Sequence, residues 1–360
     1  WIVLLIFLTV RLIDGLLVPV DALLIVALSY AIGAGVLLAF GSPDRTPRGA
    51  DVAGALTFHG FDVAAVASAN ADPTIKTRFR IRLSDGRRIF TKVRSVEERA
   101  AEILYRIYRT VRLKGFGDER PFASLRREVE HEAGMSLTAS AAGVRTPQML
   151  RVADVTATSM LIAFDEIDGQ ALDAVDPDLL TDDVLCSVWT QVDTLRSARI
   201  AHRHLSPANI LLTSDGEPWL IDFGFAEVSA SDGDLNGDIA QLMATLTLLV
   251  GAQRTVTTAV EQLGSEVVAS SAPRLQPTAL STTTRNAFKK RKGLLEGLQA
   301  EVKAVTGLEQ VEMEKLERVN SSTVFTTVML GFAFYFLIPQ LAEVDFDWTF
   351  GEMYDLALDV

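Results

Sequence analysis

Two short apolar segments, Ile210 to Leu212 and Pro218 to Ile221, lie on either side of Ser214-Asp215-Gly216. An Asp-Gly turn between such runs is a strong hairpin signal, because a two-residue reversal needs positions that tolerate positive φ. A hairpin brings its two outer ends to one edge. The outer ends here are Asn209 and Asp222, so two side-chain oxygen donors must sit together.

The surrounding pattern is α+β. Thr77 to Leu83 and Arg88 to Val93 alternate around Asp85-Gly86, a second hairpin signal. Pro147 to Val152 and Ser159 to Phe164 are strand-like. Helices are expected over Asp51–Val66, Val96–Arg112 and Ser124–Ala142. The clearest is Asp182–Ile200, where Leu185, Val188, Trp189, Val192 and Leu195 recur at helical spacing behind Thr181 as N-cap. Asp238–Val250 is helical, and the remainder to Asn320 reads mostly so. Strands with one helix, then mainly helices, predict a small sheet lobe followed by a helical lobe.

The 360 residues carry a formal net charge of −12, which opposes a polyanionic partner, so no nucleic acid is expected. A single cysteine, Cys186, excludes an intrachain disulfide and a cysteine-based zinc site, and it suits a reducing compartment. The mean hydropathy of +0.24 is high for a water-soluble domain. Three apolar runs account for it. Trp1–Val10 reads as the end of a cut helix, while Ala22–Phe40 and Val324–Ala342 are each near the length that spans a bilayer. Arg45 and Arg48 follow the second run, a basic group including Lys289, Lys290, Arg291 and Lys292 precedes the third, and 343–360 has no Lys or Arg. The positive-inside rule then makes 42–320 cytoplasmic in a multi-pass protein of the plasma membrane that meets lipid through its spans. Because the chain opens inside an apolar run, it is expected to be an excerpt of a longer protein.

His202-Arg203-His204-Leu205-Ser206-Pro207-Ala208-Asn209 and Asp222-Phe223-Gly224 resemble the catalytic and metal-binding loops of protein kinases, H-R-D-L-x-x-x-N and D-F-G. Ile89-Phe90-Thr91-Lys92-Val93 resembles the strand that supplies the phosphate-binding lysine. The resemblance implies ATP and Mg2+ as ligands, with Asn209 and Asp222 on the metal and Lys92 on the phosphates. Glu132 would orient Lys92, with Glu128 one turn earlier as the other choice. The backbone of Asp165, Glu166 and Ile167 would hold adenine, as a hinge between the lobes. His202, Phe223, Gly224 and Asp238 would brace the loops.

Three departures bear on chemistry. His204 stands where the catalytic aspartate belongs. The turn Ala67–Thr74 has no glycine to bring backbone amides onto phosphates, and the stretch from Glu227 to Asp238 is short for a peptide-docking segment. The base must orient a hydroxyl and take its proton, which a carboxylate does at neutral pH. The favoured expectation is a pseudokinase that binds nucleotide without turnover. The alternatives are a kinase for a lipid or small molecule with His204 as base, and a scaffold that binds no nucleotide.

Gly117–Phe122, Val129–Ala133 and Trp219–Glu227 extend the likeness. Over nearly its whole length the chain resembles actinobacterial multi-pass membrane proteins that join a cytoplasmic kinase-like domain to a lysylphosphatidylglycerol-synthase-like, flippase-like membrane domain. That resemblance implies a regulatory role on a lipid-handling protein. The expected division is membrane helices in 1–41, a linker over 42–60, a sheet lobe over 61–168, a helical lobe over 169–320, a membrane helix over 324–342 and an outer tail over 343–360.

Overall fold

The computed structural model describes residues 19–40, 47–69, 77–96, 124–307, 326 and 329–331. The chain divides into two units, Trp1–Thr46 and Pro47–Val360. In the first, α1 (Pro19–Phe40) is a helix whose described side chains are apolar apart from Ser29 and Tyr30. Counted over the described residues, no helix is long and apolar enough to cross a membrane. The flanking transmembrane helices expected from the sequence are therefore not supported by the described part of the fold. Trp1–Val10 and most of Val324–Ala342 lie outside the described residues, as do 343–360 and the helix expected over Val96–Arg112, save Val96.

The second unit begins with α2 (Gly49–Phe58), followed by β1 (Val63–Ser68), β2 (Arg78–Leu83) and β3 (Arg88–Ser95). Then come α3 (Leu125–Ala141), β4 (Met149–Thr156) and β5 (Ser159–Asp165). The five strands form one antiparallel sheet in the order β1-β2-β3-β5-β4. Two expectations are corrected here. The stretch 42–60 is not merely a linker, because α2 buries Val52 and Leu56 completely against Phe79, Ile81, Ile89 and Leu161. Burying one such leucine contributes about 2 kcal/mol, which fastens the helix to the sheet. Nor does one helix run over Asp51–Val66. It stops at Phe58, Gly60 turns the chain at φ +89°, and Val63 starts a strand paired with Leu83.

The opposite face of the sheet meets α3 through Val129, Met160 and Ile162. Ser124 caps α3 by accepting from the Arg127 N–H at 3.3 Å.

Beyond β5 the chain is mainly helical. β6 (Gly169–Ala171) pairs with β8 (Ile210–Thr213), which pairs with β9 (Pro218–Leu220), and β7 (Ile200–Ala201) pairs with β10 (Glu227–Val228). The helices are α4 (Asp182–Ser197), α5 (Asp232–Val250), α6 (Ala252–Leu263), α7 (Ser265–Ser271), α8 (Thr282–Lys290) and α9 (Leu294–Thr306). Trp189 of α4 is fully buried, and its indole N–H donates to Thr258 of α6 at 3.3 Å.

Helix α5 starts at Asp232, six residues before the start read from sequence, with Ser231 as N-cap accepting from Asp234 N. Its first turns hold Gly233 and Gly237, poor helix formers that obscure the pattern. Packing crowds the first and leaves the second in ordinary contact. A Cβ at 233 would lie 2.6 Å from the Arg274 guanidinium, and one at 237 would lie 3.4 Å from it.

Candidate functional site

The hairpin foretold by Asp215-Gly216 forms between β8 and β9, with Ile210 opposite Leu220 and Gly216 at φ +81°. At its open end the Ile221 N–H donates to the Asn209 carbonyl at 3.0 Å. Asn209 and Asp222 are thus brought to one edge. Asp222 turns the chain in the left-handed region, φ 68° and ψ 65°. That conformation costs roughly 1–2 kcal/mol for a residue with a Cβ, and Asp is among those that tolerate it.

The cost is offset by what Asp222 meets. Lys92 projects from β3 and its Nζ lies 2.6 Å from Asp222 Oδ1 and 2.8 Å from Glu132 Oε1. Glu132 comes from α3, and its side chain is only 3% exposed. Arg94, two residues along the same face of β3, reaches within 3.9 Å of the second Glu132 oxygen. Burial alone would push the Asp222 carboxyl up. The Lys92 charge and hydrogen bond, with the Arg94 charge nearby, hold it well below the usual carboxylate range.

Two neighbours on α3 fix the turn after Asp222. A Cβ at Gly224 would sit 3.2 Å from Glu132 Oε2, so the carboxylate packs directly on the Gly224 backbone. His131 Nε2 lies 2.9 Å from the Ala226 carbonyl and donates to it. Glu128, also buried, is one turn away, and the structure places Glu132 against the lysine.

A sheet lysine fixed by a helix carboxylate now faces the aspartate at the end of a hairpin, across a hinge. The fold is protein-kinase-like. No protein-family model matches the chain. Among solved structures it is similar to the crystal structure of aminoglycoside-3'-phosphotransferase of type VIII, at 14% identity and a TM-score of 0.40, over 69% of this chain and 99% of that one. So loose a match adds nothing to the geometry above.

A second node lies behind the first. Asp238, on α5, accepts from the His202 N–H at 2.5 Å and from the Arg203 N–H at 2.7 Å. Burial pushes its carboxyl up to about 7, against the pull of those two bonds. The His202 imidazole is wholly buried, and burial above all lowers it to about 4. The ring is therefore neutral. It donates from Nε2 to the Ile221 carbonyl at 3.0 Å and packs on Phe223 at a centroid distance of 4.7 Å. Arg203, at φ 62°, pairs with Glu227 at 2.7 Å. These bonds tie the loop before Asn209 to both sides of Asp222.

His204 stands between the two nodes, with its ring edge-on to Phe225 at 5.3 Å. The Asn209 amide nitrogen donates to the His204 carbonyl at 2.9 Å, which fixes which end of the amide faces the loop. The same NH2 group lies 3.2 Å from His204 Nδ1. An amide NH2 can only donate, so Nδ1 accepts and the ring proton sits on Nε2.

The hinge runs from Phe164 to Gly169. The Asp165 and Glu166 N–H groups are committed to the Gln148 and Arg88 carbonyls, while among the described residues the Ile167 N–H makes no backbone bond. The Glu166 side chain does not face solvent alone. It pairs with Arg80 at 2.9 Å and lies 3.8 Å from Arg88.

The donor set fits a magnesium ion. Asn209 keeps its Oδ1 and Asp222 its Oδ2, both hard oxygens. Among the described residues no three His, Cys, Asp or Glu side chains cluster for a metal, so a cation at this edge would complete its shell from ligand oxygens or water. The glycine-free turn lies mostly outside the described residues. The sequence reading did not single out Arg94, His131 or the Arg203–Glu227 pair. Arg94 carries a signal, since a strand residue two after Lys92 must share its face. His131 carries none, because its partner is distant in sequence.

Proposed function

We propose that this chain is a pseudokinase-like regulatory module that binds ATP with Mg2+ and does not transfer the phosphoryl group. Lys92 would pair the phosphates, Glu132 would hold Lys92, Asn209 and Asp222 would hold the cation, and the hinge at Asp165–Ile167 would receive the base. Bound magnesium would neutralise phosphate charge at the Asp222 edge. To admit it, Asp222 would turn from Lys92 toward the incoming cation, while Glu132 keeps the lysine in place.

The observation that carries this reading is the Asn209–His204 contact. A general base needs a lone pair directed at the acceptor hydroxyl. With Nδ1 taken up by Asn209, His204 presents Nε2–H, a donor. A donor at that position binds an anion and abstracts nothing.

The module is further proposed to be carried by an integral membrane protein of the lipid synthase or flippase type, with lipid as the partner of its membrane part and 42–320 on the cytoplasmic side. Support comes from the apolar run Ala22–Phe40 and from α1, where Leu24, Leu28, Tyr30 and Ile32 are exposed around the helix. Partition of the expressed chain into membranes that resists alkaline carbonate supports attachment, and release by carbonate overturns it.

The function is tested by titrating the chain with ATP, with and without Mg2+, alongside a phosphate-release assay. Magnesium-dependent binding without release is expected. A folded chain that binds no nucleotide leaves a scaffold. Release at a rate that His204→Asp does not improve would make His204 a working base and the chain a kinase.

A further inference from the structure

A run of cations, Lys289, Lys290, Arg291 and Lys292, ends α8 and leads into α9, and every one of them is exposed. Among the described residues none of them pairs with a carboxylate, in a chain whose acids outnumber its bases by 46 to 34. Part of the run serves the fold. Lys289 and Lys290 lie in the last turn of α8, where positive charge complements the carbonyl end of a helix. Arg291 donates to the Leu248 carbonyl of α5 at 2.8 Å. Lys292 has no such use. It directly precedes Gly293, the N-cap of α9, and a cation there opposes the helix dipole. Gly293 brings no side chain to the first N–H groups of α9, which a helix leaves without internal partners. Glu296, the acid of that first turn, is exposed and makes no ion pair with Lys292.

These groups border an open hollow of about 530 Å3 between the end of α5 and the start of α9. Arg291 and Lys292 line it together with Leu248, Leu249 and Leu294. Thr247 lines it too; it is only 2% exposed, and among the described residues its hydroxyl has no hydrogen-bond partner. A buried polar group without a partner is costly. Two cations, a helix N-terminus and an orphan hydroxyl thus meet at one place, and each is relieved by an oxygen anion. The three leucines beside them favour hydrocarbon. A soluble anion answers only the first demand, whereas a phosphodiester that carries acyl chains answers both. Basic residues are drawn to an anionic lipid surface, each strengthening attachment about fivefold.

We propose that this corner of the helical lobe docks on an anionic bilayer surface, with a phospholipid phosphodiester held by Arg291, Lys292 and the N-terminus of α9. This rests on the proposal that the chain works at a membrane.

The test uses the full chain in lipid nanodiscs, of phosphatidylcholine alone or with phosphatidylserine added, and reads amide hydrogen exchange over 290–297. Phosphatidylserine is expected to slow exchange there about tenfold, high salt to restore it, and the turn at 84–87 to stay unchanged. The combined variant Lys289→Gln, Lys290→Gln, Lys292→Gln should lose the protection and leave ATP binding as it is, because three charges at about fivefold each supply most of the attraction. Equal exchange in both discs overturns the inference and leaves membrane attachment standing. Equal protection by inorganic phosphate in phosphatidylcholine discs also overturns it, since the ligand is then a soluble anion. A chain that does not enter discs but sediments with phosphatidylserine vesicles, reversibly with salt, upholds the inference and overturns attachment through the apolar runs. Neither insertion nor sedimentation overturns both.

Discussion

Asp222, mostly covered, and Asp238, buried, are two aspartates on either side of the His202–Asn209 loop, and their environments move them in opposite directions. Asp222 faces Lys92 and stays ionised far below the ordinary range, whereas Asp238 faces two backbone N–H groups and is pushed up to about 7. Burial acts on both in the same sense. The difference is a full cation in hydrogen-bond contact at 2.6 Å in one case, and in the other two peptide N–H groups with a weaker pull from the Arg203 charge that Asp234 opposes. A carboxylate balanced by a movable lysine can be offered to an incoming cation. One satisfied by fixed peptide groups can only hold a loop. Residue type and burial therefore do not separate a binding group from a brace, and the charge of the partner does.

The largest break in this comparison is Lys92→Met. It strands Glu132 and Asp222 as two carboxylates without their cation, and removing one partner of a buried pair costs about 3–5 kcal/mol. Chemical denaturation should show a loss of that order, with nucleotide binding abolished. Asp238→Ala should cost less, about 2–4 kcal/mol, because it leaves the His202 and Arg203 N–H groups without their acceptor at roughly 1–3 kcal/mol each.

A finer break uses pH. Asp238 has a folded value raised from 3.8 to about 7, so the stability it contributes is present below its unfolded value and is lost as pH rises through 7. His202 has a folded value lowered from 6.5 to about 4, so its contribution is present above 6.5 and is lost as pH falls toward 4. The two slopes oppose one another between about 4 and 6.5 and leave wild-type stability nearly flat. Asp222 does not enter this window, because its depressed value places its loss below 3.8. Asp238→Asn should therefore expose stability that rises with pH, and His202→Gln should expose stability that falls, each by at most about 1.4 kcal/mol per pH unit. Parallel slopes in the two variants would show that the groups do not titrate as a pair.

The smallest effect is expected at Glu128. Glu128→Gln should change stability by less than about 1 kcal/mol and leave ATP affinity unchanged, while Glu132→Gln weakens it. Equal effects at both positions would mean that α3 can present either carboxylate to Lys92.

Most of the secondary structure was legible. The hairpin at Asp215-Gly216, the cap Thr181 and the stripe on α4 are local signals, and local signals survive folding. The misreadings arose where tertiary contact decides. The residues of β1 look helical because they continue the Val52 and Leu56 periodicity, and only pairing with β2 makes them a strand. The start of α5 was hidden by two glycines, the first of which leaves room for Arg274. At the site, motif order brought out Lys92, Asn209 and Asp222. Spacing alone could not choose between Glu128 and Glu132, which share a helix face and are both buried. The role of His204 lies in a hydrogen bond five residues away, where no pattern of residue types records it.

Adjacent residues on α3 grip both ends of one turn: Glu132 rests on Gly224, and His131 holds the Ala226 carbonyl. Neighbouring helical side chains point about 100° apart, so rolling the helix would have to drag the two grips along different paths. The turn cannot follow one and keep the other. A roll of the helix would accordingly free one end of the turn before the other, as a strap pinned at two points comes away from one pin first.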